Sequence, residues 1–384
     1  MRAAVLVDVG CVEMADVQKP SPGPRDVLVK VESCGVCGSD FHIFTGEGNW
    51  NLDESGRPVP LTTEGQILGH EIAGTVFARG DSVQDLREGD RVILDQGINC
   101  VSAARDSLCE YCSRGSSHLC AHYAEHGITG LPGGFAEFVC IPAVNAVKIE
   151  TDLKFECAAL TEPTACILRA LDKLESTGGR FKFNAKDQTD RIRTIVIAGG
   201  GPAGQIFLQV LRHELGFDGT IILSDPSALK RDIAERYGAT ALDIEPNTIV
   251  DTIRENSGGQ LAELVIDACG VGALWNDVPT WIRKQASVLM YGYGRRGASM
   301  ELLNALQWRE PHVVTPAGAS GGFDSDGRPS IYRKSLRMIE NGIIDAHNLI
   351  THRYDRLDCL QQILAHDMTQ QEYLKGVLNP NASS

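Results

Sequence analysis

The first 160 residues of the chain carry short apolar runs broken by glycine and proline: AAVLV (3–7), DVLVKVESC (26–34), EIAGTVFA (71–78), DRVILD (90–95) and FAEFVCI (135–141). Runs of this length, rich in valine and isoleucine and bounded by turn formers, predict strands, and their close spacing predicts a strand-rich, barrel-like domain. From about residue 160 to 305 the rhythm changes. TIVIAGG, TIILSD, AELVIDACG and ASVLMYGYG read as strands, and PAGQIFLQVLRHELG and ALKRDIAERYGA read as helices between them. Alternation of this kind predicts βαβ units on a doubly wound parallel sheet. The stretch 176–191, STGGRFKFNAKDQTDR, is a polar excursion before the first of those strands. Helical patterns return in SIYRKSLRMIENG and LDCLQQILAH. The pattern therefore predicts an α/β chain of two domains: 1–163 together with a C-terminal return over 305–384, and a nucleotide-binding domain over 164–304.

Charge narrows the partners. The net charge of −14, with no long basic run, disfavours nucleic acid and anionic membranes. The start, MRAAVLVDVG, has no apolar signal core, and no stretch approaches the roughly 20 apolar residues of a spanning helix. A cytoplasmic location is the expectation. Twelve cysteines in a chain of this length, without an export signal, suggest metal binding where they cluster rather than a disulfide framework.

Gly199, Gly201 and Gly204 form G-x-G-x-x-G directly after a strand and before a helix, the context a dinucleotide fingerprint requires. Asp225 ends the next strand, 21 residues past Gly204. A carboxylate there accepts hydrogen bonds from a ribose and repels a 2′-phosphate, which predicts NAD. A helix-capping role for Asp225 is compatible with this. Cys37-Gly-Ser39-Asp40-Phe41-His42 and Gly69-His70-Glu71 supply a thiolate, imidazoles and carboxylates, a donor set that zinc accepts where one position stays open for substrate.

In these motifs the chain resembles the medium-chain zinc-dependent alcohol dehydrogenase superfamily over nearly its whole length. The resemblance implies a GroES-like catalytic domain beside a Rossmann domain. It also implies Cys37 and His70 as catalytic-zinc ligands, with Glu71 a ligand or close neighbour. The segment LTEPTACILRAL is similar to the E-P form of sorbitol and butanediol dehydrogenases, which implies Glu162 and not Cys166 as the third ligand. Ser39 and His42 match the family's hydroxyl-to-imidazole proton relay, and Asp40 is placed to orient a ligand histidine. Cys109-x2-Cys112-x7-Cys120 matches the last three positions of the family's structural zinc lobe; the first expected position is Asp106, and Cys100 is the nearest available thiolate. Cys100 is expected to complete a four-thiolate structural zinc site through a longer loop, with Asp106 as fourth ligand, or no metal there, as the alternatives.

Arg309-Glu310 is similar to the Arg-Glu pair that sugar-alcohol dehydrogenases place over substrate hydroxyls, and a surface ion pair is the alternative. The stretch 46–66 falls between the ligand regions, where Trp50, Asp53 and Arg57 are candidates for shaping the substrate site. The expectation is an enzyme that moves hydride between a secondary alcohol (a polyol, sugar-derived alcohol or vicinal diol) and NAD, with zinc, as a homodimer or homotetramer. Two other classes compete: a zinc enzyme that uses tightly held NAD catalytically, as in dismutation or a lyase-like reaction, and a non-catalytic NAD-binding protein.

Overall fold

The computed structural model describes residues 1–294, 296–319 and 321–381. The chain divides into two compact units, residues 1–166 with 318–384, and residues 167–317.

The first unit is built on β1 (Arg2–Asp8), β2 (Cys11–Asp16), β3 (Asp26–Val36), α1 (Gly38–Phe44), β4 (Glu71–Arg79), β5 (Arg91–Leu94), β6 (Gly97–Ile98), β7 (Ala124–Glu125), β8 (Phe138–Pro142), β9 (Ala146–Lys148), α2 (Phe155–Ala158) and the start of α3 (Thr161–Ser176). Period-two alternation explains why its central sheet is covered on both faces. Ile72, Val76, Val92 and Leu94 point into one core with Val27, Val29 and Val139. Ala73 and Ile93, one residue out of phase, point into a second core with Val147 and Ala165. β3 is the spine, antiparallel to both β4 and β8.

The second unit has a six-stranded, all-parallel sheet. In chain order its elements are β10 (Thr194–Ala198), α4 (Pro202–Gln209), β11 (Thr220–Ser224), α5 (Ala228–Arg236), β12 (Thr240–Leu242), α6 (Pro246–Asn256), β13 (Ala262–Asp267), α7 (Val278–Trp281), β14 (Ile282–Met290), α8 (Leu302–Gln307) and β15 (His312–Val314). The strand order is β12-β11-β10-β13-β14-β15, a Rossmann arrangement. β10 is buried at every position, as a parallel strand with helices on both faces must be. Residues 305–317, which the pattern grouped with the return, belong here: Val313 pairs with Val288, so β15 closes the sheet as its last strand. The polar excursion after α3 is tied down by Lys182, whose Nζ donates to the carbonyls of Leu174, Glu175 and Thr177 and so satisfies the end of that helix.

The return adds α9 (Ser330–Glu340), α10 (Ala346–Leu349), β16 (His352–Tyr354), α11 (Leu360–Ala365) and β17 (Gly376–Leu378) to the first unit. β17 pairs with the end of β3, Gly376 opposite Val36, and α9 seals the second core with Tyr332 and Leu336. Among the described residues no helix is long and apolar enough to cross a membrane.

Candidate metal and dinucleotide sites

Strand register brings the first cluster together. In the β3–β4 pair Gly35 lies opposite Glu71, so the residues just past those ends, Cys37 and His70, meet although 33 positions separate them in sequence. The donor atoms of Cys37, His70 and Glu71 lie within 4.8 Å of one another. Gly69, at φ +90, makes the turn that delivers His70, and a side chain there would meet Cys34 Sγ at 2.8 Å. Asp40, fully buried in the first turn of α1, accepts from Cys37 N at 2.9 Å through one oxygen and from Gly69 N at 3.1 Å through the other. That second oxygen also stands 3.6 Å from His70 Nδ1. With Nδ1 turned to Asp40, Nε2 is the nitrogen left to face a metal. Burial alone would depress the His70 pKa, but the Asp40 carboxylate and the Cys37 sulfur reverse this and raise it well above the ordinary imidazole value.

Glu71 is completely buried and needs a counter-charge. Lys375, just before β17, supplies it: Nζ donates to Glu71 Oε1 at 2.6 Å and to the Val36 carbonyl at 2.9 Å. Burial would lower the Lys375 pKa, and the adjacent carboxylate more than offsets this and raises it. Removing one member of such a pair costs about 3–5 kcal/mol. Glu71 Oε2 has no hydrogen-bond partner and fills the space over Gly35, where a Cβ would meet it at 1.9 Å.

Glu162 is in the first turn of α3, buried, with Oε1 accepting from Gln96 Nε2 at 3.1 Å and from Cys166 Sγ at 3.2 Å. Burial pushes its pKa up to about 7, opposed by the positive charge of His70. Burial likewise holds the Cys166 thiol well above its usual pKa, which keeps it a proton donor. Ser39 Oγ lies 3.9 Å from Cys37 Sγ, and His42, one turn along α1, bonds Glu47 Oε2 through Nδ1 at 2.8 Å. The half-buried Cys37 thiol, a histidine whose Nδ1 is turned to Asp40, the buried carboxylates of Glu71 and Glu162, and an unpartnered oxygen on Glu71 fit zinc.

The second cluster joins Cys100, Cys109, Cys112 and Cys120, whose sulfurs also lie within 4.8 Å of one another; Asp106 is not a member. Cys100 Sγ is 3.6 Å and Cys109 Sγ 3.9 Å from Cys120 Sγ, far beyond a disulfide bond, and all four thiols are free. Backbone N–H groups point at the sulfurs, Cys109 N at Cys100 and Cys112 N at Cys109, each at 3.5 Å, and His122 N at Cys120 at 3.3 Å. The amide of Cys112 and that of Ala121 pull Cys109 down to about 6, whereas burial pushes Cys112 and Cys120 up. Four sulfurs that cannot all ionise without a cation fit a closed thiolate zinc site.

In the second unit the three glycines of the fingerprint have separable reasons. Gly199 adopts φ +103, open only to glycine at low cost. A Cβ on Gly204 would lie 1.9 Å from the Gly199 carbonyl oxygen, so α4 can approach β10 only without one. A Cβ on Gly201 would meet nothing within 4 Å. Space is kept open there, at the N-cap of α4, the kind of helix start whose free N–H groups suit a phosphate. Asp225, after β11, accepts from Gly200 N and from Ser227 N, both at 2.8 Å, and so ties the glycine loop to the acidic position. Arg231, next to Lys230, spends Nη1 on the carbonyls of Asp225 and Pro226 and on Asp243.

Arg309 and Glu310 lie in the second unit between α8 and β15. Arg309 Nε donates to the Pro279 carbonyl at 3.1 Å, and Glu310 is exposed with φ +48. In the 46–66 stretch Trp50 packs against the core of the first unit, and Asp53 and Arg57 face each other across their own exposed turn at 3.8 Å. Sequence reasoning missed Gln96, Lys375, Tyr332 and Glu47. Lys375 alone left a trace, as a charge inside the apolar run YLKGVL.

Comparison with known proteins agrees with this geometry. Residues 23–151 match the alcohol dehydrogenase GroES-like domain family and residues 202–341 the zinc-binding dehydrogenase family. The chain belongs to the medium-chain zinc-dependent alcohol dehydrogenase superfamily. It is an oxidoreductase of that superfamily. D-arabinitol dehydrogenase 1 of Uromyces fabae is 28% identical, over 93% of this chain and 90% of its own. Sorbitol dehydrogenase of Bacillus subtilis is 26% identical over 99% and 98%. An L-threonine 3-dehydrogenase of Idiomarina loihiensis is 28% identical over 88% of each. Among solved structures, a zinc-binding dehydrogenase of Sinorhizobium meliloti bound to NADP superposes with a TM-score of 0.76 at 28% identity, covering 99% of both chains.

Proposed function

We propose that this dehydrogenase oxidises a secondary alcohol (a polyol, a sugar-derived alcohol or a vicinal diol) to its ketone with NAD, and runs the reverse reduction. The observation that carries the reading is the donor set of Cys37, His70 and Glu71, gathered within 4.8 Å, with buried Glu162 near enough to feel the charge of His70 as the proposed third ligand. Zinc bound there would supply Lewis acidity toward the substrate oxygen, and the dinucleotide would exchange hydride with the carbon. The chain's own part is to orient and to move a proton. Asp40 fixes the His70 ring, and Lys375 holds Glu71 as a charge beside the site. Ser39, close to Cys37, takes the proton of the substrate hydroxyl and passes it along α1 to half-exposed His42, three residues on and thus on the same helical face. Glu47 keeps the His42 ring in register with solvent.

Asp225 supports NAD over NADP: a carboxylate after the second strand of such a sheet accepts from ribose hydroxyls and repels a 2′-phosphate, and Arg231 is committed to the carbonyls of Asp225 and Pro226 and to Asp243. The four-cysteine lobe holds a second, structural zinc with Cys100 as first ligand. The outer edge of β15, with Trp308 82% exposed beside it, supports assembly as a homodimer or homotetramer. The kinship with L-threonine 3-dehydrogenases favours a second reading, a hydroxy amino acid as the secondary alcohol. The Cys37→Ser variant tests the core of the proposal: turnover is abolished while NADH still binds the second unit, and unchanged turnover would refute the assigned metal site.

A further inference from the structure

Glu162 can serve as a metal ligand only if one oxygen is kept facing the metal. Among the described residues both hydrogen bonds to its carboxylate fall on Oε1, from Gln96 and from Cys166 one turn along α3, leaving Oε2 uncommitted. Gln96 itself is 2% exposed and fully used. Its Nε2 carries two hydrogens and faces two carboxylates, Glu162 at 3.1 Å and Glu125 at 3.4 Å, while its Oε1 accepts from the hydroxyl of Tyr332. An amide is symmetric in shape but not in charge. Turned over, it would aim its oxygen at two carboxylates. The Tyr332 hydroxyl therefore selects the orientation that works, and Tyr332 is completely buried on α9, in the segment that returns after the nucleotide-binding unit. Tyr123 donates its hydroxyl to the same Glu125 oxygen, Oε1, at 2.9 Å.

We infer that Gln96 and Tyr332 are positioning residues for the catalytic metal: Tyr332 sets the Gln96 amide, and the amide pins Glu162 Oε1 so that Oε2 is presented to the ion. The inference rests on the reading of Glu162 as the third ligand. A neutral donor suits this task better than a lysine. It orients the carboxylate without neutralising it, whereas Glu71, which Lys375 neutralises, is left as a bystander. The chain's C-terminal return thus contributes to the metal site twice, through Lys375 and through Tyr332.

The test is zinc affinity of the full-length protein, measured by competition with a chromophoric chelator, with Glu162→Ala marking which of the two zinc phases belongs to the catalytic site. Near-isosteric Gln96→Met and Tyr332→Phe should each weaken that phase about tenfold or more, the usual scale for groups that orient a metal ligand. Far-ultraviolet circular dichroism, the four-cysteine phase and NADH binding stay unchanged. Tyr332→Phe placed on top of Gln96→Met should add nothing, because the hydroxyl acts only through the amide. If Tyr332→Phe weakens zinc as much in the Gln96→Met background as in the wild type, or if neither variant alters the affinity while Glu162→Ala does, the inference is overturned. If Glu162→Ala binds zinc like the wild type, the ligand assignment falls, and this inference with it.

Discussion

Two glycines three residues apart in the chain, Gly201 and Gly204, should fail in different ways. Gly204→Ala puts a Cβ 1.9 Å from the Gly199 carbonyl oxygen, where contact distance is about 3.4 Å, so α4 must recede by roughly 1.5 Å. Overpacking of this kind costs about 1–3 kcal/mol, enough to lower the melting temperature of the protein by several degrees. NADH binding falls as well, because the helix N-terminus moves with it. Gly201→Ala meets no protein atom within 4 Å, and its φ of −63 suits any residue, so the fold is unaffected and its melting temperature stays within about a degree of wild type. The methyl group instead occupies the space over the N-cap that a pyrophosphate would enter, and NADH affinity drops about tenfold or more, equivalent to about 1.4 kcal/mol. Differential scanning calorimetry and NADH fluorescence titration on the two variants separate the roles. A Gly201→Ala protein that binds NADH like wild type, or a Gly204→Ala protein that melts like wild type, would refute this account of the loop.

The zinc lobe gives a count: wild type should carry two zinc ions per chain and Cys100→Ala one, with Asp106→Ala keeping both, and elemental analysis of dialysed protein decides. His126 is buried against the Pro132 carbonyl at 2.8 Å, and burial lowers its pKa below the ordinary imidazole value. The unfolded chain therefore takes up a proton at His126 before the folded one does. Its contribution to stability is complete above pH 6.5 and is lost as the pH falls through the lower, folded value. Melting curves from pH 7.5 to 5 should fall more steeply for wild type than for His126→Gln, and parallel curves would remove His126 from the explanation.

Much of this architecture was legible because hydrophobic period and turn chemistry agree locally. Val92 and Leu94 against Ile93 announce a two-faced strand, and the unbroken TIVIA announces a buried parallel one. The glycine fingerprint was legible for the same reason: its three roles are set by neighbours within five residues. The metal site was legible only in its local pieces. Cys37 and His70 each stand in a recognisable motif, but the charge that balances Glu71 comes from Lys375, 304 positions away, and the amide that orients Glu162 is set by Tyr332, 236 positions from Gln96. A lysine and a tyrosine in apolar segments look like core residues until strand pairing places them. Cys100 shows the intermediate case. Its thiol was visible as the expected fourth ligand, and the folded loop gathers it with the other three sulfurs while Asp106 stays outside the cluster. The placement of 305–317 was unclear because His312–Val314 is only three residues long, and pairing with β14, not periodicity, makes it a strand.

The central claim is a hydride exchange between a secondary alcohol and NAD at a zinc site. Its most direct test is NADH formation, followed by absorbance, from polyols, aldonates, vicinal diols, L-threonine and simple alcohols, with NAD and NADP run side by side on protein of known zinc content. The account predicts turnover of a polyol or vicinal diol with NAD, much weaker turnover with NADP, and none after removal of the catalytic zinc. Silence across the panel from protein that holds both zinc and NAD, or equal rates with and without the catalytic zinc, would contradict it.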